Sequence, residues 1–161
     1  MASYYLDSSA VVKRYVDEAG SGWVRSLCEH PDHAVLLSEL ALVEVSSAFA
    51  RRQRRGELSV ADQRLYLDLF IGDCVQSYQL IPVERMVIDR AVALVQQYGL
   101  RAYDAVQLAS ALVAGDLLRA TRLPALTFVA ADAALLDAAA AAGLAVEGVC
   151  TFARLHVCTL E

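Results

Sequence analysis

Short apolar runs alternate with longer helix-favouring stretches along most of this chain, and that alternation restricts the fold more than any other feature of the sequence. Residues 3–6 form a β-prone run that ends at Asp7, after which Ser8 or Ser9 can cap a helix over 10–16. A second run, 34–37, leads into a helix over 39–55 that stops at Gly56. Ser59, with Asp62 three residues on, resembles a capping box and opens an amphipathic segment over 60–76. A strand over 80–83, a helix over 84–98 closed by Gly99 and a helix over 101–118 follow. The pattern ends with a strand over 126–131, an Ala-rich helix over 133–142 closed by Gly143 and a last strand over 144–149. Several of these strands are apolar at nearly every position, as strands buried on both faces are. The expected class is α/β, three layers, with helices on both sides of a central parallel sheet.

With 161 residues, 57% of them hydrophobic and 20% charged, the chain is long enough to bury about 70% of its unfolded surface without disulfide or metal staples. No internal repeat, low-complexity linker or Pro/Gly-rich boundary divides it, so residues 1–161 are read as a single domain, with the tail 150–161 unassigned. The longest uncharged apolar stretches, 123–131 and 138–146, are nine residues each, against the ~20 needed to span a bilayer. Asp7, Lys13 and Arg14 interrupt any apolar leader at the start of the sequence, and the expectation is a cytoplasmic protein with no membrane partner. The four cysteines, Cys28, Cys74, Cys150 and Cys158, form no disulfide framework and are read as reduced thiols. Cys150, His156 and Cys158 have no defensible zinc spacing and are assigned to packing.

Four acids stand where packing alone does not put them. Asp7 and Asp132 directly follow strands and precede helices, where either could be a simple helix cap. In an open parallel sheet the same positions border the ligand crevice. Glu44 is the only charged residue in the stretch LALVEVSSAFA, and Asp104 heads a stripe continued by Leu108 and Leu112. A carboxylate projecting from an apolar face needs a compensating cation. Arg51 or Arg101 could supply a structural ion pair. A divalent metal is the other solution, since hard cations take oxygen ligands from several acids together with water and substrate phosphate. The net charge of −5 argues at first against a nucleic-acid partner. Setting four site carboxylates aside leaves −1, and bound cations would reverse the local sign.

Four blocks in order, Tyr5-Leu6-Asp7-Ser8-Ser9-Ala10, Leu42-Val43-Glu44-Val45-Ser46-Ser47-Ala48, Tyr103-Asp104-Ala105-Val106-Gln107-Leu108-Ala109 and Phe128-Val129-Ala130-Ala131-Asp132, resemble the acidic blocks of PIN-domain ribonucleases. The nearest likeness is to the VapC toxins of bacterial toxin–antitoxin pairs, over about residues 3–147. The resemblance implies a parallel sheet of about five strands between helices, an endoribonuclease site dependent on Mg²⁺ or Mn²⁺, and an antitoxin that masks it. Asp7, Glu44 and Asp104 carry over as the three central metal-site acids, and Asp132 as the more variable fourth. The chain departs from the family at Ala130, where Thr or Ser is common. Asp137 could be mistaken for the fourth acid but lies more than a turn beyond the strand end.

On this reading Asp7 and Asp104 are direct metal ligands, while Glu44 and Asp132 hold a second ion or orient metal-bound water. His30, His33 and His156 are expected to be exposed and without a role. Arg51, Arg52, Arg54 and Arg55 form the densest basic cluster and would either cap the dipole of their helix or contact RNA or antitoxin; Lys13 and Arg14 form a second candidate contact. Phosphoryl-transfer folds with an acceptor aspartate fit poorly, because the position two after Asp7 is Ser9 and the only lysine is Lys13. A PIN nuclease of RNA processing and a catalytically silent binding module remain as alternatives, the second disfavoured by four retained acids. Leu65, Leu69, Val92 and Val95 are read mostly as core, with some available to a homodimer interface or an antitoxin groove.

Overall fold

The computed structural model describes residues 2–149; the tail with Cys150, His156 and Cys158 lies outside the described residues. In chain order the elements are β1 (Ala2–Leu6), α1 (Ser8–Tyr15), α2 (Ser21–Glu29), β2 (His33–Ser38), α3 (Leu40–Arg54), α4 (Val60–Gln76), β3 (Tyr78–Ile81), α5 (Arg85–Tyr98), α6 (Ala102–Ala120), β4 (Leu126–Ala130), α7 (Ala133–Ala141) and β5 (Ala145–Gly148). The five strands form one parallel sheet in the order β3-β2-β1-β4-β5. The expected three-layer α/β architecture is therefore present.

Both faces of the sheet are covered, which explains the unbroken apolar runs. Successive side chains of a strand point to opposite faces. Leu6, Val35, Leu37 and Val129 accordingly pack on one side with Val11, Val24, Val45, Phe49 and Phe70 from α1 to α4. Tyr5, Leu36 and Phe128 pack on the other with Leu94, Leu108 and Leu135 from α5 to α7. Tyr5 and Phe128, partners in the β1/β4 register, stack with ring centroids 5.6 Å apart.

Several local expectations need correction. Asp7, not Ser8 or Ser9, caps α1, accepting from the Ser9 N–H. The third strand ends at Ile81 rather than running on to residue 83, because Pro82 has no N–H to give a ladder. Helix α2 was not anticipated: its start, Gly20-Ser21-Gly22, is rich in residues that break regular structure, and only Val24 and Leu27 mark its buried side. Leu65, Leu69 and Val92 are about half exposed, because α4 turns Phe70 and Cys74 inward and α5 turns Val87, Ala91 and Leu94 inward. His33 is half-buried, with Nδ1 2.9 Å from the Leu27 carbonyl and its ring stacked on His30.

Gly20 is fixed by geometry. Its φ of +91° belongs to the left-handed region, and a Cβ there would lie 2.4 Å from Val149 Cγ1 and 2.7 Å from the Val149 carbonyl oxygen. Gly56 has a similar φ of +75° but open space around it. Gly56→Ala should therefore cost only the conformational penalty of about 1 kcal/mol, while Gly20→Ala adds a clash and should cost roughly 2–4 kcal/mol. Urea denaturation of the two variants checks the difference; equal losses would show that the Gly20 contact with Val149 is not tight.

Candidate active site

The chain passes from β1 outward to β2 and β3, then returns to the other side of β1 for β4 and β5. The order therefore reverses between β1 and β4, and the crevice at the carboxyl ends of those two strands is the expected ligand site of such a sheet. The Asp7 N–H donates to the Val129 carbonyl (2.9 Å), so the first residue beyond β1 is fastened to β4 at the edge of that crevice. The crevice opens into a cavity of about 590 Å³. Asp7, Glu44 and Asp104 all line it, although they come from the β1–α1 junction, α3 and the first turn of α6.

Asp7 is 6% exposed. Its Oδ2 accepts from both the N–H (3.0 Å) and the hydroxyl of Ser9. The same Ser9 hydroxyl accepts from the Ala131 N–H (3.1 Å), tying the end of β4 to the carboxylate. Ser9 thus supplies a hydroxyl beside the strand end that Ala130 cannot. Burial raises the Asp7 carboxyl to about 6 and the Glu44 charge adds to the rise, while the Ser9 bonds oppose it.

Glu44 and Asp104 are half-buried, on the cavity wall rather than in the core. Glu44 Oε2 accepts from the Ser8 hydroxyl (2.6 Å) and from the Gln107 amide. Gln107 is fully buried. Its Oε1 accepts from the Tyr5 hydroxyl (2.7 Å), which orients the amide so that Nε2 donates to Ser8 Oγ (2.9 Å) and to Glu44. A polar path therefore runs from Tyr5, inside the sheet core, to Glu44 at the cavity. Sequence reasoning missed Gln107; the available signal was a lone amide one turn beyond Asp104 in an otherwise apolar run. Burial raises the Asp104 carboxyl, with Asp132 and Glu44 adding to the rise and Arg101 opposing it. Asp104 also sits in the first turn of α6, where the helix dipole favours an acid.

Asp132 is exposed at the head of α7, its Oδ1 accepting from the Leu135 N–H (2.9 Å). Its charge reaches Asp104, but it is not part of the cavity wall. Asp137 is exposed on α7. Among the described residues no group of three carboxylate, thiol or imidazole side chains is placed to hold a metal ion.

Of the basic candidates, Lys13, Arg51, Arg52 and Arg55 line the cavity, joined by Arg101. Arg14 does not: it turns to α4, where it pairs with Asp73 (3.2 Å) and lies over the Tyr78 ring. Arg54 is exposed away from the cavity wall. The structural ion pairs weighed as an alternative for Arg51 and Arg101 are not formed among the described residues; Arg51 donates to Ser47 Oγ (2.9 Å).

Residues 4–139 match the family described as PIN domain. The chain belongs to the PIN-domain family. Ribonuclease VapC45 of Mycobacterium tuberculosis is 33% identical to this PIN domain over 120 residues, covering 72% of this chain and 79% of that ribonuclease. Among solved structures, VapC20 of M. tuberculosis, described as a sarcin-ricin loop cleaving toxin, superposes with a TM-score of 0.58 at 16% identity, covering 88% of this chain and 95% of its own. VapBC-5 of the same organism, a member of the VapBC family of toxin–antitoxin systems, gives 0.53 at 18% identity, covering 91% and 97%. At these identities the two structures show that the PIN domain has their fold.

Two outcomes are expected. The folded carboxyl of Asp7 is raised from 3.8 to about 6, so the folded protein keeps a proton that the unfolded chain loses between those values. The resulting destabilisation is absent below about pH 4, grows up to pH 6, and is fully present at pH 7, at roughly 2–3 kcal/mol. Asp7→Asn keeps the cap and removes the charge, so in EDTA it should stabilise the protein by about 1–3 kcal/mol at pH 7 and by nearly nothing at pH 4. Urea denaturation at the two pH values measures this, and a loss of stability at both would refute it. Gln107→Leu should cost about 2–4 kcal/mol by stranding the Tyr5 hydroxyl, and Tyr5→Phe added to it should cost less than Tyr5→Phe alone. Additive losses in thermal denaturation would show that the path is not coupled.

Proposed function

We propose that this protein is a divalent-metal-dependent endoribonuclease that acts in the cytoplasm as the toxin of a toxin–antitoxin pair. One observation carries the reading: within a PIN domain, Asp7, Glu44 and Asp104 are delivered by three separate elements to one cavity that Lys13, Arg51, Arg52, Arg55 and Arg101 surround. The acids would hold a divalent ion beside the scissile phosphodiester, and the cations would seat the backbone phosphates. The ribonuclease name of the VapC45 relative and the toxin and antitoxin titles of the solved neighbours support the substrate and the partner. No helix among the described residues is long and apolar enough to cross a membrane.

The donor chemistry fits a hard cation. Three carboxylates share a partly desolvated cavity, where burial and the Glu44 charge raise the proton affinity of Asp7 and Asp104, so the site favours positive charge. Mg²⁺ and Mn²⁺ favour oxygen ligands, and Mg²⁺ commonly takes only one or two carboxylates, keeping water and binding substrate phosphate. Such an ion, when bound, acidifies water and stabilises charge on the attacking and leaving oxygens. Asp7 and Asp104 are the acids we assign to direct contact, with Glu44 in support and Asp132 as a more distant acidic neighbour. Ser9 holds Asp7 in place, and Gln107 with Ser8 fixes the orientation of Glu44. Arg51, Arg55 and Arg101 face the cavity and suit the RNA backbone. Exposed Leu65, Leu69 and Val92 suit contact with a second copy or with the antitoxin.

RNA incubated with the purified protein and Mg²⁺ or Mn²⁺ should be cleaved, and EDTA, Asp7→Asn or Asp104→Asn should each lower the rate by at least about a hundredfold. Undiminished cleavage by both variants would overturn the assignment of the acids, and undiminished cleavage in EDTA would overturn the metal.

A further inference from the structure

Three of the cavity's five cations already face carboxylates of the chain itself: Glu57 lies 3.9 Å from Arg52 and 4.0 Å from Arg55, and Glu18 holds Lys13 and Arg52 more closely. Glu18 follows α1 and lines the same cavity as Asp7. Its Oε1 is 3.5 Å from Lys13 Nζ and its Oε2 is 3.1 Å from Arg52 Nη2. It therefore bridges α1, the helix that Asp7 begins, to α3, the helix that carries Glu44. Lys13 is almost fully buried, and its ammonium also donates to the Ala19 carbonyl (3.0 Å).

The turn that presents Glu18 does not depend on this bridge. The Glu18 N–H donates to Ser21 Oγ (2.9 Å), the Ser21 N–H donates back to the Glu18 carbonyl (3.0 Å), and the Ser21 hydroxyl donates to the Val16 carbonyl (2.8 Å). Gly20 then packs against Val149. Bonds through the Ser21 hydroxyl and main chain, with packing, hold the loop, so the Glu18 carboxylate is left over as a charge aimed between two cations. Its side chain and that of Arg52 both retain solvent access. The partly exposed Glu18–Arg52 contact contributes little to stability and can be exchanged for another anion, whereas the buried Lys13 ammonium needs an anion to take the place of Glu18. A phosphate oxygen pair meets a guanidinium with the same two-oxygen geometry as a carboxylate.

We propose that Glu18 occupies the place of an RNA backbone phosphate, as a built-in competitor that substrate must displace from Lys13 and Arg52. The inference rests on the ribonuclease reading and adds a regulatory element to it. With Glu18 in place, two cations are silent toward stray anions, and only a strand that also engages Arg51, Arg55 or Arg101 gains enough to open the bridge. Removing the carboxylate releases Lys13 from its ion pair and leaves Arg52 the longer 3.9 Å contact with Glu57, so both cations become more available to a polyanion.

The test is fluorescence anisotropy of a labelled single-stranded RNA oligonucleotide, in EDTA so that it stays intact, over a series of salt concentrations. Glu18→Gln should bind about three- to tenfold more tightly at low salt, with a salt slope steeper by roughly one, as expected when one or two more cations reach phosphate. Glu18→Asp, whose shorter carboxylate retracts from Arg52, should fall between. In an Arg52→Gln background most of the gain from Glu18→Gln should vanish. Wild-type binding with an unchanged or weaker Glu18→Gln affinity and slope would overturn this inference and leave the ribonuclease reading standing. No RNA binding by any variant, together with no metal-dependent cleavage, would overturn both.

Discussion

Two-sided burial of β1 is the constraint from which the rest of the molecule follows. The strand is paired on both edges, and its side chains enter apolar layers above and below. Tyr5 and Leu6 at its carboxyl end are fully buried, so the first charge after them, Asp7, comes where the sheet order reverses. The flanking strands meet the same rule, and the helices that follow β2 and precede β4 bring Glu44 and Asp104 to the same crevice. The site is thus the place where a closed apolar architecture is forced to stop.

Concentrating acids there opposes folding. Burial and the neighbouring Glu44 charge lift the carboxyls of Asp7 and Asp104, and the chain answers with fixed hydrogen bonds rather than with ion pairs to the three central acids. Its cations are engaged elsewhere: Arg52 and Lys13 on Glu18, Arg14 on Asp73. Like charge left unneutralised in a partly dry cavity is poor for stability and well suited to attracting a cation. Stability and chemistry are in tension at these few residues, and the remainder of the fold is apolar enough to carry the difference.

The alternation of apolar runs made the architecture readable, because strand and helix periods differ and Gly56, Gly99 and Gly143 end helices plainly. Three of the four acidic blocks pointed to acids that line the cavity, Asp7, Glu44 and Asp104, since acids at strand ends and on apolar helix stripes stand out from their neighbours. Helix α2 was hidden by glycine and serine at its start. Side-chain direction was the larger difficulty. Lys13 and Arg14 are adjacent in sequence but about 100° apart around the helix axis, and only the packing of α1 on α3 and α4 sends one to the cavity and the other to Asp73. Gln107 could be singled out as a lone amide but not given a role, and Glu18 gave no signal, because their meaning lies in partners far away in sequence, Tyr5 and Glu44 for one, Arg52 for the other.

The path from Tyr5 through Gln107 to Glu44 joins two regions that are usually free to drift separately during evolution. Core positions ordinarily exchange one apolar side chain for another of similar volume with little effect on chemistry. Here a phenol stacked on Phe128 in the middle of the sheet also sets the direction in which an amide presents its hydrogens to a site carboxylate. Substitutions around that ring are therefore selected on two scales at once, packing and proton direction. The interior of this protein should diverge more slowly than its volume constraints alone would demand.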